Sequence, residues 1–254
     1  MKRFYSVVLI AVLGVCFAGC TKVEKPDAVE PSTADQPVIT DEELTEMEEL
    51  VPLLFSDDEN KLYLYGIRPD GVILYADGAG HYFDWQYSCD TYKDPKIFKG
   101  FFDNDTSYED LAVVTYTKND GVSVEDLRFI TDGDFDADNV YMVDEKELDS
   151  YVAYSVSESF SNNAVTFSCN GMNYSFDLSD CFTTLAYNGV SYCENVSYEF
   201  SDGRIYVNIV PVVSSADDEG DYGKAEVDLT IKAKLNFDGY NISLSDFELK
   251  LTGM

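Results

Sequence analysis

"AEVDLTIKAKLNFDGYNISLSDFELKL", residues 225–251, decides the fold. Val227, Leu229, Ile231, Ala233 and Leu235 alternate with polar neighbours, the period of a strand with one wet face. Asp238-Gly239 interrupts the run, and a second strand-like stretch follows over 240–251. Asp-Gly between two such runs is among the strongest short-range hairpin signals. The same grammar extends backwards. Asn170-Gly171 separates "AVTFSC" (164–169) from "MNYSFDL" (172–178), and Asp202-Gly203 separates "NVSYEF" (195–200) from "RIYVNIVPVV" (204–213). Further upstream, "KLYLYGI" (61–67) and "GVILYA" (71–76) flank the turn Arg68-Pro69-Asp70. "KIFKGFF" (96–102) and "LAVVTYT" (111–117) flank an acidic loop, and "LRFIT" (127–131) follows Asn119-Asp120-Gly121.

These connections leave no room for the crossovers that parallel strands need. The expected fold class is mainly β with an α+β tendency, built of antiparallel meander sheets in a sandwich or partial-propeller-like arrangement. Two short accessory helices interrupt it. In "DEELTEMEEL" (41–50) and the residues after it, Leu44, Met47, Leu50, Val51 and Leu54 follow helical spacing, with acids crowding the first turn. In "DEKELDSYVAYSV" (144–156), Leu148, Tyr151, Val152 and Val156 fall on one side. A change of character near residue 160 divides the body into a helix-plus-β part, 41–160, and an antiparallel β part, 161–254.

Ahead of the body stands an address. Met1-Lys2-Arg3 is a basic start, Val7 to Phe17 is apolar apart from Gly14, and Ala18-Gly19-Cys20 closes the segment. A basic start, a short apolar core and small residues are the marks of an export signal. The apolar core falls short of the roughly 20 residues a spanning helix needs. "FAGC" (17–20) resembles the lipobox of bacterial lipoproteins, with Phe17 where Leu is commonest. The resemblance implies cleavage after residue 19 and a diacylglycerol on the thiol of Cys20, palmitate-type chains that hold the protein on the extracytoplasmic face of the cell membrane. Two acyl chains make a stable anchor where one is marginal. Residues 20–40 then read as the lipidated cysteine and a disordered tether. Pro26, Pro31 and Pro37 stand among charged and hydroxyl residues, with too little apolar surface to order. As a coil it spans about 25 Å.

The net charge is −31, and residues 1–40 contribute none of it: Lys2, Arg3, Lys22 and Lys25 balance Glu24, Asp27, Glu30 and Asp35. So acidic a body repels phosphate backbones, which excludes nucleic acid as a partner. With 19 Tyr, 16 Phe and one Trp, a sizeable core is available. The body holds Cys89, Cys169, Cys181 and Cys193, without Cys-x-x-Cys spacing. Export permits disulfides, and four cysteines allow three pairings. Pairing among the last three and free buried thiols are both open.

"GFFDNDTSYEDLAVV" (100–114) is the most informative stretch for chemistry. It resembles the FG-GAP and VCBS repeats of β-propeller blades, in which an Asp-x-Asp-x-Asp-Gly loop holds Ca²⁺ before a strand opening in Asp-Leu. Alternate loop residues turn oxygens inward, and the hard cation takes six to eight of them at about 2.4 Å. The resemblance implies Asp103, Asp105, Ser107 and Asp110 as ligands. Tyr108 stands where the repeat has Gly, and Asp110 falls one position early, so a plain acidic turn is the other reading. "HYFDWQYS" (81–88), "DNDTSYEDLAVV" (103–114) and "GVSVEDLRFI" (121–130), in this order, resemble a group of exported lipoproteins of Gram-positive anaerobes. That similarity implies a shared fold and no particular activity.

"TDGDFDADN" (131–139) sets Asp132, Asp134, Asp136 and Asp138 at period two, so an extended segment would turn all four one way. As an EF-hand it fails, with Ala137 in place of Gly and Val143 in place of the twelfth-position Glu. His81 is the single histidine, and no Gly-x-Ser-x-Gly elbow accompanies it. Among the aromatic residues Tyr82, Phe83, Trp85 and Tyr87, Tyr82 and Trp85 are the candidates for a sugar- or peptide-binding platform. The expected function is that of a binding or interaction module for a carbohydrate or protein ligand, on a membrane-anchored lipoprotein. The reading from another class is a surface hydrolase of polysaccharide or cell wall.

Overall fold

Strand propensity dominates the molecule, and the computed structural model follows it. It describes residues 51–67, 71–87, 93–103, 105–119, 122–182, 187–216 and 222–252. The chain divides into two units, Met1–Asp35 and Gln36–Met254, and the described residues belong to the second. The lipobox with Cys20, the tether, the helix expected over 41–50, the turn at 68–70 and Cys89 lie outside the described residues.

Two four-stranded meanders open the fold. The first is β1 (Leu53–Asp57), β2 (Leu62–Gly66), β3 (Val72–Ala76) and β4 (Ala79–Phe83). The second is β5 (Lys96–Gly100), β6 (Asp110–Asn119), β7 (Val122–Ile130) and β8 (Tyr141–Met142). In both, strands neighbour one another in sequence order and pair antiparallel. Leu54, whose spacing suited a helix, lies in β1 instead. Asp77-Gly78 makes the β3–β4 turn with positive φ at both residues, +52° and +81°. Asp and Gly tolerate that left-handed backbone better than other residues do.

The expected helix over 144–156 forms as α1 (Glu145–Ser155). Asp144 caps it, its carboxylate accepting from the amide of Lys146, and Leu148, Val152 and Val156 are buried. Next come β9 (Ser157–Ser161), β10 (Ala164–Cys169) and β11 (Met172–Asp177), with β10 in the middle.

The remaining strands are β12 (Tyr187–Ser191), β13 (Val196–Ser201), β14 (Arg204–Ile209), β15 (Val212–Ala216), β16 (Tyr222–Glu226), β17 (Leu229–Phe237) and β18 (Ile242–Leu251). Two runs expected as single strands are each divided. "RIYVNIVPVV" breaks at Val210-Pro211 into β14 and β15, because proline has no N–H for the ladder. Its partner breaks at Val227-Asp228 into β16 and β17. β12 and β13 break at the same level, and the amides of Val210 and Val227 donate to the carbonyls of Asn195 and Pro211 across the bend. Three strands therefore pass together from the sheet ordered β13-β14-β17-β18 into the sheet ordered β12-β15-β16.

The second meander is the middle layer. One face, with Leu111, Val113 and Ile130, packs against Leu64, Leu74, Phe83 and Trp85 of the first meander and the residues just after it. The other, with Ala112, Val114, Leu127 and Phe129, joins Ile205, Ile231 and Phe237 in a core that also takes in α1 and β10. Residues 110–116 are accordingly buried without a break. A strand covered on both faces reads as a continuous apolar run, which is what "LAVV" spells. The boundary expected near residue 160 falls inside this shared core. Consecutive meanders stacked face to face suit the partial-propeller expectation, and no closed barrel forms among the described residues.

Charged side chains tie the layers. Glu125 of β7, 4% exposed, accepts from the amide of Tyr198 on the edge strand β13 at 2.9 Å and from Lys93 Nζ at 3.0 Å. Lys96 Nζ donates to the Tyr198 carbonyl at 3.3 Å. Arg128 is buried between the meanders. Its guanidinium lies 4.9 Å from the centre of the Trp85 ring and donates to Thr115 Oγ1 at 2.7 Å. Cys169, Cys181 and Cys193 are free thiols. Pairing among these three, one of the open alternatives, is not formed: Cys169 is buried in the main core and Cys181 is exposed. Among the described residues no helix is long and apolar enough to cross a membrane.

Candidate functional site

Where strands of the two meanders end side by side, three loops meet: the β3–β4 turn, the β5–β6 connection (101–109) and the β7–β8 connection (131–140). Between them opens a cleft of about 410 Å³. Its floor is Leu62, Ala76, Leu111 and Ile130, residues whose strands pair at this level. Phe101, Tyr108 and Phe135 stand around it, and Asp77, Lys99, Ser107 and Glu109 supply polar groups. A mainly apolar concavity with a few polar groups at its rim is the usual form of a ligand site.

Strand geometry explains the walls. β5 ends at Gly100, and the next two rings part company. Phe102 turns inward, its ring 5.8 Å from that of Phe129 and 6.1 Å from that of Phe200. Phe101 is left 49% exposed and Tyr108 63% exposed. Tyr154 on α1 and Tyr240 in the β17–β18 turn are more exposed still, but neither lines a described cleft. Single exposed rings need no explanation; two at the mouth of one cavity do. Phe135 stacks on His81, with ring centres 3.8 Å apart and planes 10° apart. Burial pushes the His81 imidazole below its ordinary range, against the opposing influence of the Ala76 backbone and of Asp77. By stacking on Phe135 it props a wall of the cleft.

One buried carboxylate holds two of the loops together. Asp110, 0% exposed, accepts at Oδ2 from the amides of Phe102 (2.6 Å) and Asp103 (3.1 Å) and at Oδ1 from the amide of Asp132 (3.4 Å). It clamps the loop that carries Phe101 and Tyr108 to the loop that carries Gly133 and Phe135. Burial lifts its carboxyl above the ordinary range, and the amides oppose that without cancelling it.

The same contacts bear on the calcium expectation for Asp103, Asp105, Ser107 and Asp110. Asp110 faces backbone amides. Asp103 Oδ1 accepts from the amide of Asp105, and Asp105 Oδ1 from that of Ser107. The four do not gather around one centre, and among the described residues no group of three or more His, Cys, Asp or Glu side chains is placed to hold a metal ion. The second acidic run behaves alike. Asp132, Asp134, Asp136 and Asp138 are all exposed, as period two implied, while Phe135 and Ala137 pack inward. Asp134 and Asp136 each accept from the amide two residues on, and the segment closes in a 3-10 turn, Ala137–Asn139.

The platform expected of Tyr82 and Trp85 is not formed. Trp85 is 8% exposed, stacked on Phe83 at 4.2 Å and covered by Arg128, deep between the meanders. Tyr82 lies on the opposite face of the first sheet, over Gly71. Tyr82 faces away from its strand neighbour Phe83, and Trp85, two residues past the strand end, stacks on Phe83, which separates the two. Of the residues that line the cleft, the sequence marked Ser107 alone as a ligand residue, and for a metal; the rings Phe101, Tyr108 and Phe135 went unremarked as such. The available signal was Tyr108 in the place of a loop glycine: an aromatic ring where a turn needs none.

Beyond Phe101 a second, smaller cleft of about 230 Å³ is lined by Phe102, Phe237, Arg204 and Lys234 among others. Comparison with protein families, with characterised proteins and with solved structures found no match to this chain.

Proposed function

We propose that this protein is a lipid-anchored extracytoplasmic binding module whose cleft between the two meanders captures a carbohydrate. The observation that carries the reading is the pair of exposed rings, Phe101 and Tyr108, at the mouth of an apolar-floored cavity. The CH face of a sugar covers such a ring, and its hydroxyls reach polar groups at the rim. Anchoring rests on Cys20 and the tether of residues 21–40, which hold the acidic body clear of the headgroups.

Against a hydrolase stand the two acids of the cleft. Asp77 and Glu109 are both exposed, and Glu109 is ion-paired with Lys99 at 2.8 Å. A glycosidase faces two carboxyl groups across the scissile bond, and here one of the two is held by a lysine. The reading is tested by electrophoresis of the full chain through gels carrying neutral polysaccharides. Retardation that Tyr108→Ala abolishes is expected; unretarded migration in every polysaccharide would overturn it. Labelling with a palmitate analogue marks the wild type and leaves Cys20→Ala unmarked; equal labelling of both would remove the anchor.

A further inference from the structure

The charge around the cleft narrows the ligand further. Lys99 is the single cation among its described lining residues, and Glu109 neutralises it at 2.8 Å. Asp77 is left over, and Gly133, beside it in the wall, is flanked by the exposed Asp132 and Asp134. The whole chain carries −31. At physiological ionic strength charges act over about 8 Å, so these carboxylates set the potential inside the cavity. An anionic polymer is repelled there. A ligand must be neutral or positive, and it must present a flat apolar face to Phe101 and Tyr108.

We infer that the cleft selects a glycan of de-N-acetylated amino sugars, glucosamine-type units bearing free ammonium groups. A pyranose ring supplies the flat CH face, and its ammonium meets the rim carboxylates and the electron-rich ring faces, where cation–π attraction adds to the charge term. A lysine-rich peptide shares the charge. Its ammonium sits on a flexible stem with no flat face to lay on a ring, whereas this cavity is lined by three aromatic rings, Phe101, Tyr108 and Phe135. The inference rests on the cleft being a carbohydrate site.

Calorimetry with the full chain tests it, using glucosamine oligomers, their N-acetylated counterparts, galacturonate oligomers and polylysine. Glucosamine oligomers should bind about ten-fold more tightly than the acetylated ones, from the added ammonium contacts. Tyr108→Ala and Phe101→Ala should weaken both, and galacturonate should give no heat. Equal binding of free and acetylated oligomers overturns the amine selection while leaving the carbohydrate reading intact. Failure of all the sugars removes both. Polylysine binding that depends on Tyr108 as strongly as glucosamine binding does makes the ligand a basic peptide and overturns the inference. Glucosamine binding indifferent to Tyr108→Ala and Phe101→Ala is diffuse attraction to an acidic surface, and overturns it as well.

Discussion

Phe83 and Trp85 stand within twenty-five residues of Phe101 and Tyr108, and the two pairs have opposite fates. The first pair lies at the end of a strand and just beyond it, so its rings are pressed between two sheets and stack on each other. The second pair lies where a strand has ended, on a loop whose backbone is satisfied by aspartate side chains, and its rings meet water. Aromatic content is alike in the two places; what differs is whether a second sheet covers them. In this molecule the rings that a second sheet covers carry the fold, and the uncovered pair at the cleft carries the candidate site.

The largest effect should come from the covered pair. Trp85→Ala opens a cavity and strips the cover from the buried Arg128, at a cost of about 3–5 kcal/mol in urea denaturation followed by circular dichroism. A loss within the range of surface substitutions would mean that the interface between the meanders is not a packed core. Next is the clamp between the two loops. Asp110→Ala leaves three backbone amides without their acceptor, and roughly 2–3 kcal/mol should be lost. Backbone amides of residues 102, 103 and 132 should then exchange with deuterium faster than in the wild type, loosening the cleft before the core.

A smaller effect appears in the pH dependence. Burial lifts the carboxyls of Asp110, Asp126 and Glu145 above the ordinary range. Each holds its proton more tightly folded than unfolded, so its contribution is complete below the unfolded value of about 4 and fades as pH rises through the lifted one. His81 works the other way, contributing above its ordinary value and losing that as pH falls through its depressed one. The stability of the wild type relative to Asp110→Asn should therefore increase as pH is lowered from about 7 to about 4. A relative stability that falls on acidification would show that the amide bonds outweigh burial at Asp110. Least of all, Phe101→Ala and Tyr108→Ala should each shift stability by under about 0.5 kcal/mol, as exposed positions do.

Much of the fold was legible because alternation and turn chemistry are local. Asn170-Gly171 and Asp202-Gly203 make the hairpins they announce, and the spacing of Leu148, Val152 and Val156 gave α1 nearly to its ends. Three features were not legible. Periodicity alone carried Leu54 into a helix, since a short apolar run fits either period, and the pairing of its strand with β2 decided for a strand. Pro211 marked one break in the long strands, but the matching break at Val227-Asp228 has no signal of its own and arises from its neighbour across the ladder. The candidate site was the least legible of all. Whether Trp85 is a platform or a core residue depends on a sheet that begins eleven residues later, and the cleft is lined from five strands and three loops that only the fold assembles.

The most direct test is a paired measurement on the Phe101→Ala/Tyr108→Ala double variant: its denaturation midpoint, and its affinity for the glycan that retards the wild type. The account predicts a midpoint within experimental scatter of the wild type and an affinity at least about ten-fold weaker, from the loss of two ring contacts. An unchanged affinity in the folded double variant would contradict it.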